Sequence, residues 1–368
     1  YTPQYDSAQI TSNQGREFVG MKFNLLSGFA IDKDRLNLYN AMIDENKAVY
    51  EIDLAKLMVK TDAIKAYIAW LIAGYEVNTY QELLRLAENR QNGLQTRLKS
   101  GDISDIDVKE NYNYILKRKI KLMSIRDYFN QASQALSIYT RDGSCNIVLP
   151  SQKMLPKKLP TPISLTHKHD LDEINGAVTN RPEFKIIDAQ IEQVKNQQRL
   201  AKTDLLPKLN LNVQYNQNNS DTTSTSYFRL NQQEGVAKLD FSLPLERSSA
   251  TGMNAEVYSN LQKLQNERQL LIDQIATRIQ SLRFTIDNTA SQIEISEDEY
   301  KLSNQLLKAE EVKFRNGDSN FFMLNAREEN LTNSYISLLA NFAENYKSYI
   351  EYNFLNGKNK DLKHIAFD

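Results

Sequence analysis

Lys313-Phe314-Arg315-Asn316-Gly317-Asp318 is the second writing of a pattern that first stands at Arg97-Leu98-Lys99-Ser100-Gly101-Asp102. The same offset, without a gap, lays Lys22-Phe23-Asn24-Leu25 over Lys238-Leu239-Asp240-Phe241, and Leu122 over Leu338. Further along the match fades, with Phe129 on Asn345 and Leu136 on Tyr352. A register this long without an insertion predicts two copies of one structural unit, each rigid along most of its length.

Around the motif each copy reads as a helical hairpin. Asn316-Gly317-Asp318-Ser319 predicts a glycine C-cap followed by the N-cap of the next helix, and Ser100-Gly101-Asp102 with Ser104 predicts the same turn in copy one. Before the turns lie helical patterns over Ile31 to Leu98 and Arg247 to Phe314, free of proline. About seventy residues at about 1.5 Å each make a rod of roughly 100 Å. Apolar residues recur at strides of three, four and seven: Leu36, Tyr39, Ile43, Tyr50 and Leu57 in one copy, Leu264, Leu271, Ile275 and Leu282 in the other. This is coiled-coil spacing. The returning helix continues it with Phe321, Leu324, Glu328, Leu331, Tyr335, Leu338, Phe342, Asn345, Tyr349 and Tyr352. Its counterpart carries Val108, Tyr112, Ile115, Leu122, Phe129 and Leu136. A short turn between such helices predicts an antiparallel pair.

Before each rod the period changes from helical to two. Leu209, Leu211, Val213 and Tyr215 alternate with polar residues, and so do Leu239, Phe241 and Leu243 after a turn-rich stretch from Asn218 to Ser226. In copy one Met21, Phe23 and Leu25 alternate with Lys22 and Asn24. The offset puts that copy's first strand before Tyr1, leaving at most a remnant near Tyr1 to Ser7. Each strand is about nine residues, the length that crosses a bilayer when tilted. Two hairpins cannot close a barrel, and open edges are not tolerated in lipid. Either they form a small soluble sheet or several chains pool their strands.

Composition narrows the class. Glycine (12) and proline (8) are scarce among 368 residues, which favours long helices. A net charge of −1 gives no argument for nucleic acid. The lone Cys145 excludes an internal disulfide. Between the copies, 141–180 holds Pro150, Pro156, Pro160 and Pro162 and reads as a connector with little regular structure. Arg181-Pro182-Glu183 then opens a shorter helix to about Leu205. Copy one lacks the equivalent, so an N-terminal extension is expected. His167 and His169 with Asp170 and Asp172 are weighed as a metal site and set aside, because the remaining histidine, His364, stands near the tail. No nucleophile with its base, phosphate loop or zinc set is present, so neither catalysis nor a cofactor is expected.

The order helix, two strands, long helix, tight turn and returning helix, written twice, resembles the TolC-type outer-membrane efflux and secretion channels. Ala201-Lys202-Thr203-Asp204-Leu205-Leu206-Pro207 is similar to that family's helix-to-strand passage, and Phe314 to Ser319 running into Leu324-Asn325-Ala326-Arg327 to its tip motif. The resemblance implies a mainly α fold with a β-barrel part. Coiled-coil helices would form a periplasmic α-barrel, and hairpins from a homotrimer a 12-stranded transmembrane barrel. It implies barrel segments at 1–29 and 206–246, tunnel segments at 30–140, 181–205 and 247–356, and an equatorial region at 141–180 with the tail 357–368. Met21, Phe23, Leu25, Leu209, Leu211, Val213, Tyr215, Leu239, Phe241 and Leu243 would face outer-membrane lipid. Arg97, Lys99, Gly101, Asp102, Asp105, Asp107, Lys313, Phe314, Arg315, Gly317, Asp318 and Ser319 would form the tips, where the gate closes and a periplasmic adaptor and inner-membrane transporter dock. By position the family's gate aspartate matches Asp107. Its aromatic partner falls on Phe314, which lacks a hydroxyl, and its basic partner on Ser319, so that latch does not carry over, and a different one between Arg97, Lys99, Lys313 or Arg315 and Asp102, Asp105, Asp107 or Asp318 stays open. The competing reading is a structural adaptor whose helical hairpins bridge two periplasmic partners; it needs no lipid-facing strands.

Overall fold

The computed structural model describes residues 16–159, 161–165, 170–218 and 233–357. In chain order the elements are β1 (Arg16–Asn24), α1 (Lys33–Lys99), α2 (Asp105–Ser137), a short 3-10 turn (Gln152–Met154), α3 (Asp170–Asn180), α4 (Pro182–Thr203), β2 (Lys208–Asn218), β3 (Gln233–Ser242), α5 (Ser248–Asn316) and α6 (Phe321–Leu355). The offset that carries Lys22 onto Lys238 also carries Asp105, which starts α2, onto Phe321, which starts α6. The long helices α1 and α5 have 67 and 69 residues. The strand remnant near Tyr1, much of the Asn218 to Ser226 turn, His167, His169, His364 and nearly all of the 357–368 tail lie outside the described residues.

The described residues fall into two units, one within Tyr1–Glu51 and Glu183–Leu270, the other within Ile52–Pro182 and Leu271–Asp368. In the first, β1, β2 and β3 form an antiparallel sheet in that order. In the same unit helix α4 is joined to the neighbouring stretches of α1 and α5. Phe184 is fully buried there under the guanidinium of Arg268, whose Nε donates to Asp188 Oδ1 at 2.7 Å. Gln193 Nε2 donates to Asp44 Oδ1 at 2.8 Å. The start of α1 is fixed locally: the Asp32 carboxylate accepts from Arg35 N at 2.8 Å and Arg35 Nε at 3.1 Å.

The second unit holds two apolar cores, to which the heptad stripes contribute Leu122, Phe129, Leu136, Leu338 and Phe342, while Tyr39 and Tyr112 of those stripes are 40% and 51% exposed. Trp70, Leu71, Val77, Leu122, Ile125, Phe129 and Leu136 pack with Leu339, and Ile68, Ile293, Leu338, Phe342, Tyr346 and Ile350 make a second cluster. Across these cores runs the connector. Its extended part is tied down by polar contacts: Tyr75 Oη donates to Pro156 O at 2.7 Å, Tyr346 Oη to Thr161 O at 2.6 Å, and Gln152 Nε2 to Asn78 Oδ1 at 2.5 Å. Leu155 sits so close to Gly74 that a Cβ there would come within 2.5 Å of it. A side chain at this position would force Leu155 to move, so the close approach favours glycine.

The connector also contains α3, an 11-residue helix that a reading of 141–180 as irregular does not predict. The prolines end at Pro162, and from Asp170 to Asn180 only Gly176 disfavours helical backbone, while Ala177 is completely buried. Asp170 and Asp172 belong to this helix.

Candidate functional site

The two helix turns and the sheet face are the sites the sequence singles out. At both turns glycine takes the left-handed conformation, with φ of 78° at Gly101 and 85° at Gly317. Each closes its helix by the same pair of bonds. Gly101 N donates to Leu98 O at 3.1 Å and Asp102 N to Arg97 O at 2.9 Å, while Gly317 N donates to Phe314 O at 3.3 Å and Asp318 N to Lys313 O at 2.9 Å. This is the double-bonded helix stop that a side chain bearing Cβ disfavours at the glycine.

The start of the return helix differs from expectation in copy two. Ser104 precedes α2, and the Asp107 carboxylate reaches back to accept from Ser104 N at 3.0 Å and Oγ at 2.8 Å. The equivalent cap of α6 is Asn320, whose Oδ1 accepts from Met323 N at 2.9 Å, and neither Asp318 nor Ser319 caps it. Ser319 instead donates to Glu310 Oε1 at 2.5 Å, and Glu310 lies 3.8 Å from Arg327. A short amide one residue later reaches the N3 amide better than Ser319, which the buried Glu310 draws back to α5.

Charge at the tips is distributed accordingly. Asp105 pairs with Lys109 at 2.6 Å, and that bond raises the lysine's pKa. Asp107 is committed to its own helix start. Asp102 and Asp318 are exposed, as are Arg97, Lys99, Lys313 and Arg315, while Phe314 is half-buried. Among the described residues no ion pair joins these bases to the tip aspartates. The tips also present exposed apolar side chains, Ile106, Phe322 and Met323, of which Ile106 and Phe322 match under the offset.

On the sheet, register decides the chemistry. Met21 lies opposite Val213, Phe23 opposite Leu211, and Val19 opposite Tyr215. Leu211 lies opposite Leu239, Val213 opposite Ala237, and Leu209 opposite Phe241. Residues directly opposite share a face, so the apolar positions of three strands merge into one surface. It is open: Met21 is 67% exposed, Leu239 62% and Phe241 64%. Leu25 and Leu243 stand one residue beyond their strands, and Leu25 N still donates to Leu209 O at 2.7 Å. The opposite face is mainly polar, with Phe18 (70% exposed) and Val236 as its apolar members: Asn212 Nδ2 donates to Asp240 Oδ2 at 2.6 Å, and Lys238 lies 2.6 Å from Asp240.

A third cluster goes unnoticed in the sequence reading. Glu328 of α6 is buried between two arginines of the first hairpin. Its Oε1 accepts from Arg90 Nη2, and its Oε2 from Arg118 Nη1 at 3.0 Å. Asn325 Oδ1 accepts from Arg90 Nη1 at 2.5 Å and from Arg118 Nη2 at 3.2 Å. Asn111 completes the group, donating to Gln91 Oε1 at 2.7 Å and Ala87 O at 3.2 Å. Burial raises the pKa of Glu328 against the pull of both arginines, and it lowers that of Arg90. A signal was present: Arg118 stands in the stride of Ile115, Leu122 and Ile125, and Glu328 in that of Leu324 and Leu331, so each is a charged residue on a core stripe.

No family model and no curated protein matches the chain. Solved structures do. VceC, the outer membrane protein of Vibrio cholerae, superposes with a TM-score of 0.72 at 16% identity, over 93% of this chain and 79% of its own. The CmeC outer membrane channel of Campylobacter jejuni gives 0.70 at 11%, over 96% and 78%. The open state of the MtrE outer membrane channel of Neisseria gonorrhoeae gives 0.70 at 12%, over 96% and 82%. The chain therefore has the fold of the TolC-like outer-membrane channels.

Proposed function

We propose that this chain is one subunit of a trimeric outer-membrane channel, a passive exit duct for a tripartite efflux pump or a type I secretion system. The observation that carries this reading is the uncovered apolar sheet face with a mainly polar face behind it. Water disfavours such a surface by about 25 cal/mol per Å² of apolar area, whereas lipid accepts it on the outside of a closed barrel. Strands β1 and β3 each leave one edge without a partner among the described residues, and pooling strands from three copies closes those edges. The matched boundaries of α1 with α5 and α2 with α6 support two repeats, each supplying a hairpin to a periplasmic tunnel. The fold shared with outer-membrane channels supports a location in the outer membrane with the helices in the periplasm.

The tips are the docking end for a periplasmic adaptor and an inner-membrane transporter, which supplies the energy. With Asp105 paired to Lys109 and Asp107 bound to its helix start, the exposed Asp318 and Asp102, which accepts a 3.3 Å bond from Ser100 Oγ, are the carboxylates left to act in a gate with Arg97, Lys99, Lys313 and Arg315.

The test is biochemical. The native protein should sediment with outer membrane, require detergent, run as a trimer and conduct ions in planar bilayers. A monomer stable in aqueous buffer would overturn the proposal, and so would detergent-purified trimers that pass no current. An adaptor of the periplasm would give the first of those results.

A further inference from the structure

The buried charges at Glu328 are not a product of the repeat. Under the offset Glu328 matches Tyr112, Asn325 matches Lys109, Arg118 matches Ser334 and Arg90 matches Leu306. One copy supplies both cations and the other supplies the carboxylate and the amide. The contacts therefore run between hairpins: α1 and α2 on one side, α6 on the other.

We propose that Arg90, Arg118, Asn325 and Glu328 form a buried clamp that holds the tip ends of the two hairpins of one chain together, so that they move as a single block. The side chains of Arg90, Arg118 and Glu328 are 7%, 4% and 2% exposed. Both Glu328 oxygens face a different helix of the first hairpin. Asn325 Oδ1 bridges the same two arginines from the second. Sliding α6 by one helical turn keeps its apolar stripe but takes Glu328 away from both arginines, which are left buried without a counter-charge and hold only Leu83 O (Arg118, 2.9 Å) and Asn111 Oδ1 (Arg90, 3.4 Å). That state is strongly disfavoured, and a buried polar group in a coiled coil commonly fixes register in this way. The apolar stripes alone do not distinguish the registers.

The inference concerns motion within one chain and holds whether or not the chain conducts. Its test is a distance measurement in the full-length protein. With Cys145→Ser as background, Gln95→Cys on α1 and Lys308→Cys on α5, both exposed, receive spin labels. Labelled chains are assembled with an excess of cysteine-free chains, so that each particle carries one pair. Pulsed electron spin resonance should give one narrow distance population. In Glu328→Gln the distribution should at least double in width or gain a second population.

A variant with Arg90→Met, Arg118→Met and Glu328→Leu refills the site without charge. It should keep the helix content seen by circular dichroism and show the same broadening. A narrow distribution in this triple variant overturns the clamp, since packing would then suffice, even where Glu328→Gln loses helix. An unaltered distribution in a folded Glu328→Gln overturns it as well. Failure of the protein to form trimers or to conduct would defeat the channel reading and leave this measurement intact.

Discussion

Asn345 holds Ile163 by both halves of its amide: Oδ1 accepts from Ile163 N at 2.9 Å and Nδ2 donates to Ile163 O at 3.0 Å. A side chain on α6 thus supplies the pairing that a neighbouring strand would otherwise give. The same Nδ2 reaches Ile286 O at 3.1 Å and Thr289 Oγ1 at 3.0 Å, so one residue ties the connector to α5 and α6. Asn345→Leu fills similar volume and takes this partner from Ile163 N and O, at about 1–3 kcal/mol, while Thr289 Oγ1 keeps its bonds to Thr285 O and Ile286 O. Exchange of the Ile163 amide should quicken by about ten- to hundred-fold, with amides of the α2 core unaffected.

Gly74 and Leu155 define a second joint of the same segment. Gly74→Ala in the wild type should destabilise by about 1–3 kcal/mol through overpacking, read as a lower melting temperature. Combined with Leu155→Ala, much of that loss should return, because the obstructing methyls are gone. Purely additive losses would show that the close approach is not the cause.

Alkaline pH should loosen the unit around Tyr346. Burial pushes its phenol from 10.0 up to about 12, with Tyr349 adding to the rise, and ionisation removes the proton it donates to Thr161 O. Because the folded state keeps that proton longer than the unfolded chain, stability falls as pH rises between about 10 and 12 and is fully present below 10. Tyr335 and Tyr67, also raised to about 12 by burial, act in the same direction. Phenolate absorbance should rise together with loss of the helical signal. Tyr346→Phe should weaken the coupling and cost about 1 kcal/mol at neutral pH.

The two sheet faces should respond oppositely to charge. Leu239→Arg on the apolar face should cost up to about 2–4 kcal/mol in lipid and deplete the protein from the outer-membrane fraction. A substitution of equal size on the polar face, Asn210→Arg, should leave that fraction nearly unchanged. Equal behaviour of the two would speak for a hydrated sheet.

Asp107→Asn tests the division of labour at the tips. A helix-start contact of this kind is worth about 0.5–2 kcal/mol, so exchange of the first α2 amides should accelerate. If Asp107 serves only its helix, closed-state conductance should stay as in the wild type, while Asp102→Asn and Asp318→Asn should raise it.

Much of this fold is legible in the sequence. Helix ends, strands and turns follow from local chemistry that repeats at a fixed offset, and α1 and α5 begin and end within a residue or two of their predicted bounds. What escaped depended on three dimensions. The start of α6 turned on Asn320 against Ser319, because Glu310, nine residues upstream, takes the serine hydroxyl. Helix α3 hid behind the prolines before it. Glu328 and Asn345 stood openly in the heptad stripe, yet a stripe does not say which partners face it. Their roles emerge once α1, α2 and the connector are packed beside them.

The near-equal spans of α1 and α5 set a rule for how this protein can change length. A heptad inserted into α1 alone would preserve every local pattern, yet its turn would no longer match the one after α5, and Arg90 would shift away from Glu328. Viable deletions and insertions should therefore arise as matched pairs, one in each long helix. Chains engineered to be taller or shorter would have to follow the same bookkeeping.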